Sequence, residues 1–297
     1  MNSPVEFRDE VELVIDLKSD LGEGPLWHSP TSTLVFVDTN KGIIHRFDPA
    51  TSALASMDVG VEIGAAIPRR RGGFVASSTD GLMAVNETTR SVELLVSIEG
   101  DLPSNRMNDA KCDSRGRLWS GTFSKKFERK VGSLYRIDTD LTVTRVTSGV
   151  TISNGIGWNS DETKMYYVDT AARGVDVFDY DIGTGTATNK RRFVDISRDF
   201  GMPDGITVDA EDCVWVALYY GGAVRRYSPQ GEWLATVSLP VSRVTSCGFG
   251  GSNLDELYIT TANQMVDGEG RQHEKLSGGL FRCRVGVSGL PVFEFGG

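Results

Sequence analysis

One pattern of residues recurs six times along this chain, and it restricts the fold more than any other feature of the sequence. Each copy opens, with one exception, on a polar residue. Gly or another small residue and a short apolar run follow, then a turn and a second β-rich run. The copies begin Glu23-Gly24-Pro25-Leu26-Trp27, Ile63-Gly64-Ala65-Ala66-Ile67, Asn108-Asp109-Ala110-Lys111-Cys112, Asn154-Gly155-Ile156-Gly157-Trp158, Asp204-Gly205-Ile206-Thr207-Val208 and Ser246-Cys247-Gly248-Phe249-Gly250. Their first residues lie 40 to 50 positions apart. The second runs include Leu34-Val35-Phe36-Val37-Asp38, Leu118-Trp119-Ser120-Gly121-Thr122 and Met165-Tyr166-Tyr167-Val168-Asp169, and third runs such as Ile43–Phe47 and Val175–Asp179 follow most of them. β-Branched and aromatic residues bounded by Gly, Asn, Asp and Pro read as strands and turns.

Repeats of about 40–50 residues, each supplying about four short strands, are the signature of propeller blades. A β-sandwich would not repeat its turn chemistry at this period, and a helical solenoid would need a 3.6-residue apolar rhythm that is missing. The expected fold is all-β, a six-bladed β-propeller formed as a single domain by residues 1–297. The strand-like stretch from Val11 to Leu17 and the one after Gly279 are expected to pair and close the ring.

Composition narrows the partners. With 40 acidic and 31 basic residues the formal charge is -9, which disfavours the basic surface that nucleic acid or an anionic membrane requires. The basic clusters Arg69-Arg70-Arg71 and Lys190-Arg191-Arg192 read as solvated loops. Cys112, Cys213, Cys247 and Cys283 form no C-x-x-C pair and fall in apolar runs, so they are expected to be buried thiols. Nothing resembles a signal peptide or a transmembrane stretch, and a cytoplasmic protein is the default expectation.

In a propeller the innermost strands line a central channel, and equivalent residues of different blades meet near the axis. The first residue of each copy reads Glu23, Ile63, Asn108, Asn154, Asp204 and Ser246. Four of these carry carboxylate or amide oxygens, and carboxylates converging on an axis repel unless a cation joins them. Asn-Gly and Asp-Gly also favour tight turns, but Glu23 in the same phase is a weak turn former. Oxygen donors of this kind suit one divalent metal ion, Ca²⁺ first, with Mg²⁺, Mn²⁺, Zn²⁺ or Fe²⁺ as alternatives. Arg106 stands two residues before Asn108, so alternation along a strand puts both on one face. There Arg106 is suited to substrate hydroxyls or a carboxylate. His28, His45 and His273 share no phase of the repeat, and no G-x-S-x-G elbow is present.

Leu21-Gly22-Glu23-Gly24-Pro25-Leu26-Trp27, Arg106-Met107-Asn108-Asp109, Ser153-Asn154-Gly155, Pro203-Asp204-Gly205 and Thr245-Ser246-Cys247-Gly248-Phe249-Gly250-Gly251 resemble, in order, the motifs of the regucalcin (senescence marker protein)/gluconolactonase/luciferin-regenerating enzyme family. The resemblance implies a six-bladed propeller with lactonase activity and a divalent metal. By the same resemblance Glu23, Asn154 and Asp204 match metal ligands, Asp204 also matches the catalytic general base, and Arg106 and Asn108 match substrate-binding positions. The chain departs from the pattern twice. Ser124-Lys125-Lys126 stands where the regucalcin branch has an acidic substrate contact, and Thr260-Thr261-Ala262-Asn263 ends without the usual Arg.

The expected function is therefore hydrolysis of a small lactone, with a sugar lactone first in line. The metal would polarise the carbonyl and acidify a water whose proton Asp204 accepts. Phe123, Tyr219 and Tyr220 are candidate walls of the pocket. Two other functions stay open at this point. One is hydrolysis of an aromatic lactone or phosphotriester on the same site, and the other is a non-catalytic calcium-binding propeller.

Overall fold

The computed structural model describes residues 3–264 and 274–297, so His273 lies outside the described residues. Six antiparallel sheets form six blades. Blade 1 comprises Gly22–His28, Thr33–Asp38, Ile43–Asp48 and Ala53–Asp58, and blade 2 comprises Ile63–Pro68, Phe74–Ser78, Gly81–Val85 and Val92–Ser97. Blade 3 is built from Asn105–Cys112, Leu118–Ser124, Gly132–Ile137 and Val143–Val150, and blade 4 from Ser153–Trp158, Lys164–Asp169, Gly174–Asp181 and Thr186–Asp195. Blade 5 contains Met202–Val208, Val214–Tyr219, Ala223–Tyr227 and Trp233–Ser238, with Val5–Phe7 added in parallel on its outer edge. In blade 6, Val244–Gly250, Glu256–Thr261 and Leu280–Cys283 are completed by the early strand Glu12–Ile15. Antiparallel pairing of Leu13 with Phe281 closes the ring where the sequence predicts it.

Sheets packed on both faces need apolar residues on both, which explains unbroken buried runs such as Thr33–Asp38 and Val214–Tyr219. The buried side chains gather into wedges between neighbouring blades rather than one central mass. Phe74 of blade 2 packs with Val35 of blade 1, Leu82 with Leu118 of blade 3, and Trp119 with Tyr167 of blade 4. Val175 packs with Val216 of blade 5, Trp215 with Phe281 of blade 6, and Tyr258 with Phe36 of blade 1. A dry core in wedges leaves the axis to the innermost strands, which contact one another in sequence around the ring.

All four cysteines are buried and unpaired. The basic cluster Lys190-Arg191-Arg192 is not a loop, as expected from sequence, but part of the outer strand of blade 4. There Lys190 and Arg192 pair with Asp176, and Arg191 pairs with Asp179. Consecutive basic residues along an edge strand suit a solvated β-surface, which the neighbouring turn residues disguise. Among the described residues no helix is long and apolar enough to cross a membrane.

Candidate functional site

The first channel position of each blade coincides with a slip in strand pairing. Register shifts between Glu23 and Leu26, Ile63 and Ala65, and Met107 and Ala110 in blades 1 to 3. It shifts again between Ser153 and Ile156, Pro203 and Ile206, and Val244 and Ser246 in blades 4 to 6. A β-bulge inserts a residue, bends the strand and re-aims a side chain. Asn108, Asn154 and Asp204 lie within the slipped stretches and Glu23 at the edge of one, so all four are presented at the same end of the channel. Each is at most 7% exposed.

Two carboxylates brace this end from behind. Asp38, at the end of the second strand of blade 1, accepts the backbone N–H groups of Asp20 at 3.0 Å and Leu21 at 3.2 Å, just before Glu23. Asp169 does the same in blade 4 for Thr151 and Ile152, both at 3.0 Å, just before Asn154. Thr170 then accepts a hydrogen bond from Asn154 Nδ2 at 3.1 Å. That bond fixes the amide, and Asn154 Oδ1 is left without a partner.

The electrostatics of the cluster call for a cation. Asp204 Oδ1 and Asp109 Oδ2 are also buried without a hydrogen-bond partner, which is rare unless a group outside the protein satisfies them. Burial, then the charges of Asp204 and Asp109, push the Glu23 carboxyl well above its usual range, with Arg106 opposing. Burial followed by Asp109 raises Asp204 likewise, against the Asn154 amide. Among the described residues no three His, Cys, Asp or Glu side chains are arranged to hold a metal. The set here instead combines two carboxylates, Glu23 and Asp204, with the amide oxygen of Asn154. Orphaned hard oxygens in that combination fit a divalent ion.

Arg106 and Asn108 meet as their shared strand face predicts. Arg106 Nη1 donates to Asn108 Oδ1 and to the carbonyl of Met107, both at 2.9 Å, and Asn108 Nδ2 donates to the carbonyl of Ser153 at 2.8 Å. The guanidinium lies 4.5 Å from the centre of the Phe123 ring. Burial lowers the Arg106 pKa to about 10, with Glu62 and Glu23 opposing, so it stays charged at neutral pH. Tyr219 lies within electrostatic reach of Asp204, receives a hydrogen bond from Gln264 Nε2 at 3.2 Å, and packs edge-on against Tyr220 at 4.5 Å. Lys125, at the first departure from the family pattern, pairs with Glu62 at 3.1 Å. Asn263, at the second, is tied by its backbone N–H to Ser19 and Asp20.

Sequence reasoning passed over Asp109 and Lys111. Asp109 shares the bulge with Asn108, so strict alternation would have sent it away from the axis. Burial raises its pKa, and Lys111, two residues on, holds it down. The Lys111 ammonium donates to the carbonyl of Ile206, across the channel in blade 5. Three carboxylates, Glu23, Asp109 and Asp204, thus face two cations, Arg106 and Lys111. Lys111 also lines a cavity of about 130 Å³ at the opposite end, with Leu26, Trp158, Phe249, Leu290 and Phe293. The C-terminal segment covers that end: Gly289 bridges to Asp209 and Phe295 to Arg69. His28, the last residue of the first strand of blade 1, helps hold it through Glu294 at 3.0 Å. Glu23, Asn154 and Asp204 take no part in this lower cavity.

Comparison with known proteins identifies the family. Residues 21–263 match the family described as the SMP-30/Gluconolactonase/LRE-like region. Regucalcin of Xenopus laevis is 37% identical over 295 residues, which span 97% of this chain and 99% of that protein. A solved luciferin-regenerating enzyme superposes with a TM-score of 0.92 at 34% identity, covering 96% of this chain and 99% of that one. A structure from Agrobacterium tumefaciens, titled a calcium-binding protein, regucalcin, superposes with a TM-score of 0.93 at 26% identity and covers 99% of each chain. Motifs spread over the channel ends of five blades, together with a match along most of the chain, place it in the SMP-30/gluconolactonase/LRE-like family.

Proposed function

We propose that this chain is a metal-dependent lactonase acting on a small lactone, with a sugar lactone first in line, at the channel end marked by Glu23, Asn154 and Asp204. The observation that carries the reading is the pair of buried, unpartnered oxygens, Asn154 Oδ1 and Asp204 Oδ1, beside the raised carboxyl of Glu23. These three residues would hold one divalent ion, Ca²⁺ first. When bound, the ion supplies Lewis-acid polarisation of the carbonyl and lowers the pKa of water.

The protein's own residues do the rest. Asp204 takes the proton of the attacking water, a role that suits a carboxylate whose basicity is raised by burial. Arg106 uses one nitrogen to hold Met107 and Asn108, and a guanidinium has five N–H donors, so others serve substrate oxygens. Asn108 is engaged on both sides of its amide. Its main act is to orient Arg106, with one N–H left for substrate. Phe123, Tyr219 and Tyr220 exclude water around the ring. The four unpaired thiols suit a reducing compartment, in keeping with a cytoplasmic enzyme.

The test is to strip the protein with chelator and follow a lactone panel by pH indicator, restoring Ca²⁺, Mg²⁺, Mn²⁺, Zn²⁺ and Fe²⁺ singly. Turnover should vanish on stripping and return with at least one ion. Asp204→Asn should lower kcat by roughly 100-fold or more. Turnover that survives stripping overturns the metal requirement. Ion binding without turnover on lactones, aromatic lactones or phosphotriesters would leave a calcium-binding propeller instead.

A further inference from the structure

Blade 2 breaks the pattern of oxygen donors, because its first channel residue is the hydrocarbon Ile63. The residue just before it is Glu62, a carboxylate at the channel mouth. Its backbone is held there, with Thr79 N–H donating to the Glu62 carbonyl at 3.2 Å. The facing loop of blade 3 is held too, with Lys125 N–H donating to the carbonyl of Ser104 at 2.7 Å. From these two anchored positions Lys125 Nζ reaches Glu62 Oε2 at 3.1 Å. Behind the pair lies Arg106, on which Glu62 exerts the largest favourable charge effect.

We propose that Glu62, held by Lys125, is a specificity residue of this chain that accepts a hydrogen bond from a ring hydroxyl of a polyhydroxylated lactone lying against Arg106. This deepens the lactonase reading and rests on it. The ammonium occupies Oε2, and a carboxylate has further lone pairs for a hydroxyl donor. An exposed ion pair adds little stability, so stability does not account for the arrangement. It resolves the first departure from the family pattern instead. Lys125 occupies the segment where an acidic substrate contact was expected, and Glu62 returns a carboxylate to the same mouth from the neighbouring blade. Without Glu62, Lys125 would set a second cation beside Arg106. Lys125 adds a direct ion pair to the attraction that the Arg106 charge already exerts on Glu62 across the blade boundary.

The experiment compares glucono-δ-lactone, rich in hydroxyls, with δ-valerolactone, which has none, on wild type, Glu62→Gln and Lys125→Met. Glu62→Gln should raise KM for the hydroxylated lactone about tenfold, the loss of one charge-assisted hydrogen bond, and leave δ-valerolactone within about twofold. Lys125→Met should act in the same direction and less, and the double variant should be no worse than Glu62→Gln. Both side chains are partly exposed, so the variants should fold, and thermal unfolding checks that they do. Equal effects on both lactones, or none, overturn the proposal. So does a wild-type preference for a carboxylate-bearing lactone that Lys125→Met abolishes, since Lys125 would then be the contact. Should wild type open neither lactone, the lactonase reading fails. Calorimetry with sorbitol then decides the subsite: binding that Glu62→Gln weakens sustains it, and heats that are absent or unchanged by the variant overturn it.

Discussion

His45 shows how a single side chain is set by what surrounds it. It lies in the third strand of blade 1, 4% exposed, against the Phe36 ring at 4.9 Å and with Nδ1 2.8 Å from Ser56 Oγ. Burial lowers its pKa to about 4, with Asp38 opposing. A group whose folded pKa lies below its unfolded value is protonated first in the unfolded chain. Its contribution is therefore complete above about pH 6.5 and is lost as pH falls towards 4. By pH 5 the loss should reach about 2 kcal/mol, read as a fall in urea midpoint. His45→Gln should abolish that part of the slope, and an unchanged slope would contradict the assignment. The sequence set His45 apart from the candidate site residues by its phase alone. Glu23, Asn154 and Asp204 were legible by the same means, because each opens a copy of the repeat. Asp109, Lys111 and Thr170 were not. Their roles depend on a bulge and on contacts between strands of the same or another blade, which no spacing along one strand records.

At the scale of the element, the innermost strand must carry a side chain to the axis and also lie against the next strand. In blades 4 and 5 the glycine after the polar residue answers the second need. A Cβ on Gly155 would stand 2.7 Å from both the carbonyl of Asp204 and the backbone N of Ile206. A Cβ on Gly205 would meet Ser246 Oγ at 2.0 Å. These two glycines, which sit inside strands and not in turns, are thus spacers between neighbouring strands. Gly155→Ala pushes on the backbone that carries Asp204. It should cost about 1–3 kcal/mol of stability and, more tellingly, weaken metal binding measured by calorimetry. Unaltered affinity would show that the strand absorbs the methyl without moving Asp204. The recurrence of Gly was visible in the sequence, but its purpose needed the neighbouring strand.

The whole molecule is a ring, and a ring has a weakest joint where its two chain ends meet. Glu12–Ile15 lies on Leu280–Cys283 as the outer strand of blade 6, whereas Val5–Phe7 only adds an exposed edge to blade 5. Deleting residues 1–8 should lower Tm by a few degrees at most. Deleting residues 1–16 bares the edge of Leu280–Cys283 and should lower Tm by about 10 °C or cause aggregation, seen by calorimetry and light scattering. Equal effects of the two deletions would disprove this account of closure. The sequence alone determined the number of blades, the strand content, the pairing of the two chain ends and the phase of the metal-site candidates. These follow from local rhythm, and each copy repeats it. Only the tertiary structure decided that Asp109 and Lys111 join the channel, that Lys125 carries Glu62 to its mouth, and that the C-terminal segment seals its far end. Those facts depend on distances between residues tens to hundreds of positions apart, which the ring sets and a repeat pattern does not contain.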